Sequence, residues 1–237
     1  MIQFYAPDIA LSPVLPESDS AHAVRVLRMQ PGDPLQAVDG KGGIYSCRLL
    51  DANPRRAVVE VVSKTVEPQS WKGFITVAVA PTKHNDRMEW LVEKLTEIGV
   101  NRIVPVLCRH SERREIKQER LVRTAVSAMK QSLKATLPEI VPMTPLAEVL
   151  AAIPDGTDRF VAYCDPAVER RDFSKAYRPG ADTFILIGPE GDFSPGEIES
   201  ALHSGFTAVT LGEERLRTET AALYAVTACH AIDRLLL

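Results

Sequence analysis

Two stretches carry residue types and spacing from which a ligand site can be built. Gly188-Pro189-Glu190-Gly191-Asp192 follows the apolar run 184–187, and Gly212-Glu213-Glu214-Arg215-Leu216-Arg217 follows the apolar run 206–211. A short apolar run that ends at a glycine and opens into a loop before a helix reads as a strand end. Glycine there lets backbone N–H and C=O groups come close to a small molecule, and two such loops on adjacent strands would bracket one. The same glycines also fit a second reading, as the tight turns of an ordinary α/β core; glycine spacing alone does not separate the two. No P-loop lysine follows Gly188, which argues against a phosphate cradle of that type.

The elements around these loops have clear local signals. Ser194-Pro195-Gly196-Glu197 reads as a capping box with proline at the first helical position. Ile198, Ala201 and Leu202 give the helix one apolar face, and Gly205 suits its left-handed stop. Thr218 is placed to cap a final helix, with Glu219 favoured in its first turn by the helix dipole.

The chain has 237 residues, 45% hydrophobic and 25% charged, enough for one large domain or two smaller ones. Cys47, Cys108, Cys164 and Cys229 are scattered without a C-x-x-C pair, so they read as reduced, mostly buried thiols of a cytoplasmic protein. The five histidines have no ligand spacing, and no metal site is expected. The first five residues have no charged segment leading into an apolar one, so no signal peptide is expected. No apolar run approaches bilayer-spanning length.

The net charge of −3 is unevenly spread: residues 102–134 hold nine Lys/Arg against three Glu. Such a block on an otherwise acidic chain fits a docked polyanion. It also fits a solvated helix face with i,i+4 pairs such as Glu119 with Arg123.

Residues 1–70 read mostly as β structure. Runs 36–39 and 44–50 flank a Gly40-Lys41-Gly42-Gly43 hairpin loop, 57–62 is another strand, and a short helix lies between Ser18 and Met29, ended by Pro31-Gly32-Asp33. The result is a small barrel-like unit, near neutral in charge. Any polyanion contact there must be local, with Arg25, Arg28 and Lys41 as candidates or, alternatively, plain surface charges. Residues 67–70 read as a linker. Beyond it strands alternate with helices, which means a parallel sheet covered on both faces. Asp86 is placed to cap the first of these helices, Pro105 suggests an edge or bulge in the strand 102–107, a long basic helix spans 117–137, and a closing helix runs to the C-terminus.

Gly188-Pro189-Glu190-Gly191-Asp192-Phe193-Ser194, Leu211-Gly212 and Leu216-Arg217-Thr218-Glu219-Thr220-Ala221 resemble the two C-terminal motifs of the SPOUT methyltransferase superfamily. His22-Ala23-Val24-Arg25-Val26-Leu27-Arg28, Glu93-Lys94-Leu95-Thr96-Glu97-Ile98-Gly99-Val100 and Gln131-Ser132 extend the resemblance over nearly the whole chain. Within that superfamily the chain is similar to the bacterial 16S ribosomal RNA (uracil-N3) methyltransferase family. It departs at Glu214-Arg215, where an aliphatic residue is common, and at Gln3, where an arginine is expected.

The resemblance implies a PUA-like RNA-binding β-barrel over 1–70 and, over 71–237, an α/β SPOUT-type parallel sheet with a C-terminal trefoil knot. It implies S-adenosylmethionine as methyl donor, a homodimer, and a uridine of 16S ribosomal RNA in the small subunit as target. By the same resemblance, Ile187, Gly188, Gly191, Leu211, Gly212 and Leu216 would hold the donor. Arg217 would stabilise the uracil anion or orient the nucleotide, with Glu190 and Glu219 as candidates for ligand binding or proton acceptance. Arg25, Arg28, Lys41, Arg109, Arg113, Arg114, Arg120 and Arg123 would bind RNA. Two other activities fit the same residues: a ribose 2′-O-methyltransferase of the superfamily, and a non-catalytic RNA-binding ribosome-assembly protein.

Overall fold

The computed structural model describes residues 2–165 and 168–236. Leu237, to which the closing helix is expected to run, lies outside the described residues. The chain divides into two compact units: Met1–Ser70 with Val126–Leu137, and Trp71–Ala125 with Pro138–Leu237.

The first unit contains β1 (Gln3–Tyr5), α1 (Glu17–Ala21), β2 (Pro34–Val38), β3 (Gly43–Asp51) and β4 (Val58–Val66). The strands form one sheet in that order, with β1 parallel to β2 and the other pairs antiparallel. β3 buries Tyr45, Cys47 and Leu49 at alternate positions, and these meet Phe4, Ile9, Leu15 and Leu35 in one core. α1 continues into a π-helical turn over His22–Val26. This helix ends earlier than Pro31-Gly32-Asp33 suggests: Arg28 takes a left-handed φ of 56°, and the Met29 N–H returns to the Ala23 carbonyl.

The β2–β3 hairpin is set by Asp39. Its carboxylate accepts the N–H groups of Lys41 (2.7 Å) and Gly43 (2.9 Å) and the Tyr45 hydroxyl (3.0 Å). Burial alone would raise its pKa, but these three donors outweigh it and hold the carboxyl below its usual range.

Residues 126–137 complete this unit. Met129 and Ala135 pack on Val38, the Gly42 N–H reaches the Ala135 carbonyl, and the Leu137 N–H reaches Gly40. Lys130 pairs with buried Asp19, whose other oxygen accepts the Tyr5 N–H. Gln3, at the position where an arginine is expected, is buried and donates to the Lys134 carbonyl at 2.7 Å, so its role is structural.

The second unit holds β5 (Ile75–Val79), α2 (Asn85–Ile98), β6 (Arg102–Leu107), the start of α3 (Gln118–Gln131), β7 (Glu139–Ile140), β8 (Thr144–Pro145), α4 (Leu146–Ala151), β9 (Asp158–Ala162), β10 (Arg171–Asp172), α5 (Phe173–Ala176), β11 (Thr183–Ile187), α6 (Pro195–His203), β12 (Thr207–Thr210) and α7 (Thr218–Leu236). Its sheet is parallel throughout, in the order β10-β12-β9-β11-β5-β6-β7, with β8 also on β6. Every residue of β5 and of β11 is buried, as a sheet covered on both faces requires. α4 and α6 share a core with Val104, Val161 and Leu186, whereas α7 packs on α2, β5 and β11.

Four local expectations are corrected. α2 begins after His84 rather than at an Asp86 cap, and the Asp86 carboxylate lies within its first turn. Pro105 lies in an interior strand; β6 changes its outer partner from β7 to β8 between Ile103 and Val106, so the missing N–H falls where that pairing is already interrupted. α3 stops at Gln131, because Leu133 adopts a left-handed φ of 56° and the Lys134 N–H returns to Met129. β11 and β12 are not neighbours, since β9 pairs with both and lies between them.

Candidate functional site

Because the sheet of the second unit is parallel, the loops after β5, β6, β9, β11 and β12 leave from one edge. The Pro189–Asp192 turn follows β11 and is closed by the Asp192 N–H on the Pro189 carbonyl at 2.9 Å. Asp192 sits at a left-handed φ of 61°, with its carboxylate accepting the Phe193 N–H at 2.8 Å. Ile187 and Gly188 are buried and Gly191 is exposed. A Cβ on Gly188 would stand 2.9 Å from the Phe193 ring, and one on Gly191 would stand 3.3 Å from the His110 Cβ. These two glycines therefore answer to close approach.

The loop after β12 comes back to this turn. Gly212 takes a φ of 118°, with open space where a Cβ would stand. Leu211 and Leu216 are half-buried, and Arg217 is exposed. The Arg217 carbonyl accepts the Ala221 N–H at 2.8 Å, so Arg217 occupies the cap position of α7 and Thr218 its first turn. This corrects Thr218 as the cap. Its hydroxyl instead donates to the Gly188 carbonyl at 3.0 Å, in a buried contact. Residues 212–217 thus lead from the end of β12, past β9, to the end of β11. The two glycine loops meet although their strands do not.

Thr218→Val keeps the shape and removes the donor, which leaves the Gly188 carbonyl buried and unpaired. The expected cost is about 1–3 kcal/mol, read as a lower urea midpoint. An unchanged midpoint would mean that this bond does not hold the loops together.

The basic loop after β6 is stitched to the same turn. Arg109 donates its backbone N–H to Glu197 at 2.7 Å, while the other oxygen of Glu197 accepts the Ser194 N–H and hydroxyl at 2.8 Å each. The capping box is therefore present, with an extra task for its glutamate. His110 Nδ1 lies 3.0 Å from the Asp192 carbonyl. The Lys83 N–H donates to Glu190 at 3.3 Å, and the Arg113 guanidinium donates to the Lys83 carbonyl at 2.6 Å. Burial, and next the charge of Glu197, push the Cys108 thiol up to about 12, so it stays protonated and is no nucleophile.

Glu219 is buried, with one oxygen 3.8 Å from Arg87 and the other buried without a hydrogen-bond partner among the described residues. Arg87 was not legible as a site residue, because nothing in the α2 sequence points toward α7. Arg114 and Arg123 are exposed, and Arg120 pairs with Glu89 at 2.6 Å. In the first unit Arg25 and Arg28 are exposed around the turn after α1, and Lys41 is exposed in the β2–β3 hairpin. Among the described residues no acid, His or Cys cluster is placed to hold a metal ion, and no helix is long and apolar enough to cross a membrane.

A cleft of about 490 Å³ opens in the second unit between the end of β9 and α6, lined by Tyr163, Ile198, Leu202 and His203. None of the residues expected to hold the donor lines it. Its volume alone does not outweigh the convergence of backbone groups, carboxylates and a guanidinium at the glycine loops.

Residues 69–230 match the RNA methyltransferase domain family, and residues 15–62 match the RNA methyltransferase PUA domain. The chain is 48% identical to a probable rRNA-methyltransferase from Porphyromonas gingivalis, whose crystal structure superposes with a TM-score of 0.94 over 100% of both chains. A ribosomal RNA small subunit methyltransferase E from Neisseria gonorrhoeae, solved bound to S-adenosyl methionine, is 28% identical with a TM-score of 0.81 over 98% of both chains. The ribosomal RNA small subunit methyltransferase E of Bacillus subtilis is 28% identical over 218 residues, 87% of this chain and 85% of that protein.

Proposed function

The chain belongs to the RNA methyltransferase family, and on that premise we propose that it transfers a methyl group from S-adenosylmethionine to N3 of one uridine in the 16S ribosomal RNA of the small subunit. The observation that carries this reading is the Thr218–Gly188 bond, which joins the two glycine loops into one wall. The residues there suit the donor. Gly188 has no room for a side chain, Gly212 leaves an open face, and the second oxygen of Glu219 is a buried acceptor without a donor among the described residues. Ile187, Gly188, Gly191, Leu211, Gly212 and Leu216 would hold the donor through backbone groups and apolar contact. When bound, it supplies a methyl that is already electrophilic on its sulfonium.

The chain's own task is positioning and deprotonation. Good positioning contributes on the order of 7–11 kcal/mol to such a transfer. N3 of uracil is a poor nucleophile until its proton leaves, so the site must favour the anion. Arg217, exposed at the rim, places a fixed positive charge for O2 or O4. Glu190 or Glu219 takes the proton. N3 lies on the pairing edge, so the target base must be unpaired or turned outward. Arg109, Arg114 and Arg123 of the second unit and Arg25, Arg28 and Lys41 of the first bind phosphates, which makes affinity salt-sensitive.

The same reading assigns residues 1–70 to a PUA-like barrel and residues 71–237 to a SPOUT domain with a trefoil knot. The return of residues 212–217 past β9 and the seating of α7 on β5 and β11 support the knot. It further makes the protein a homodimer working in the bacterial cytoplasm. The test is to incubate the protein and S-adenosylmethionine with small ribosomal subunits that lack the modification, then map any new methyl group by mass spectrometry of digested RNA. A methyl on N3 of one uridine is expected. A methyl on a ribose 2′-oxygen, or no methyl at all, would overturn the assignment.

A further inference from the structure

The sequence places Arg113 among the phosphate contacts; the structure turns its guanidinium inward. Nη2 donates to the Lys83 carbonyl at 2.6 Å, and Nε is closed off from water with no acceptor among the described residues. A guanidinium that serves phosphate presents its planar donor fork to the ligand, and in this one Nη2 is committed to the main chain and Nε is shut off from water. Arg109 and Arg114, in the same loop, are exposed. The residue that Arg113 grips is itself attached to the glycine turn: the N–H of Lys83 donates to Glu190 at 3.3 Å. The Lys83 ammonium also pairs with Glu112 at 3.2 Å, but with side chains 64% and 52% exposed that contact is screened and holds little. The half-buried Arg113, with its short 2.6 Å bond to the main chain and its Nε shut off from water, is the more fixed link between the loop after β5 and the loop after β6.

We propose that Arg113 is a positioning residue for the cofactor-binding turn: it clamps Lys83, and through Lys83 it holds Glu190 and the Gly188–Asp192 turn in their bound arrangement, without contacting phosphate. The proposal rests on the cofactor reading above. It separates two functions within one basic loop. Arg109 and Arg114 meet the polyanion, and Arg113 serves the small molecule.

The experiment compares full-length Arg113→Gln and Arg109→Gln with wild type by two measurements. One is calorimetric affinity for S-adenosylhomocysteine without RNA. The other is the slope of log affinity against log salt for a small-subunit RNA fragment. Arg113→Gln is expected to weaken cofactor binding roughly tenfold, within the usual range for coupling between sites, and to leave the salt slope unchanged. Arg109→Gln is expected to leave cofactor binding unchanged and to lose a slope of about 0.7–0.9, the contribution of one phosphate contact. Because the link runs through Glu190, the double variant Arg113→Gln, Glu190→Gln is expected to lose less than the product of the two single losses.

A reduced salt slope for Arg113→Gln, an unchanged cofactor affinity, or full additivity with Glu190→Gln overturns the proposal. Should Arg113→Gln lose its cooperative thermal transition, Arg113→Lys replaces it: it keeps the charge but not the fork. A fall in its cofactor affinity supports the clamp, and wild-type affinity overturns it. Wild-type protein that binds no S-adenosylhomocysteine overturns this proposal together with the cofactor reading; any wild-type binding makes the two separable.

Discussion

Arg217→Ala is expected to lower the single-turnover rate of methyl transfer to unmodified small subunits about 10²–10³-fold, the usual loss when one fixed charge-stabilising group is removed from a reacting centre. Donor affinity is expected to stay close to wild type. The split follows from the position of the residue. Its backbone caps α7 through the Ala221 N–H, a bond that alanine keeps, while its side chain is exposed and forms no ion pair among the described residues. The substitution therefore removes a charge without removing a structural contact. Arg217→Lys keeps the charge but not the planar fork, and an intermediate rate is expected. Wild-type turnover in Arg217→Ala would remove this residue from the chemistry, and an equal loss in donor affinity would make it a binding group instead.

Lys130→Met is expected to destabilise the first unit by about 3 kcal/mol, measured as a lower urea midpoint. The Asp19 side chain is 7% exposed, Lys130 is its cation, and the Tyr5 N–H is bonded to its other oxygen at 2.9 Å. Methionine leaves that carboxylate buried without a counter-charge, which is the expensive way to break such a pair. Adding Asp19→Asn removes the uncompensated charge, so the double variant is expected to recover part of the loss. A single variant with an unchanged midpoint would show that solvent already satisfies Asp19.

Features encoded within a few residues were readable from the sequence. The Ser194–Glu197 capping box, the left-handed Gly205, the hairpin around Gly40–Gly43 and the largely apolar strands β5 and β11 each depend on short-range spacing. Features decided by distant partners were not. Thr218 looks like a helix cap by type and position, yet the carbonyl it serves is thirty residues earlier in the chain. The long basic helix ends short because Leu133 turns left-handed and residues 135–137 then bond to the β2–β3 hairpin. Nothing in residues 117–137 announces that partner. Charge placed Arg113 among phosphate ligands, but only coordinates reveal which way a guanidinium faces. The order of β11 and β12 also lay beyond reach, since β9 can be inserted between them without altering either strand's own pattern.

The assignment of Val126–Leu137 to the first unit has a consequence for biosynthesis. A nascent chain emerging N-terminus first exposes the β1–β4 sheet long before the segment that supplies Lys130, Met129 and Ala135 has left the ribosome tunnel. Asp19 and the Val38 surface stay incomplete during that interval, while β5, α2 and β6 wait in turn for β9 and β11. The first half closes only after residue 137 has emerged, and the second later still. A pause in translation before codon 126 would therefore strand two unfinished cores at once, whereas a pause after residues 126–137 have cleared the tunnel would find the first of them closed.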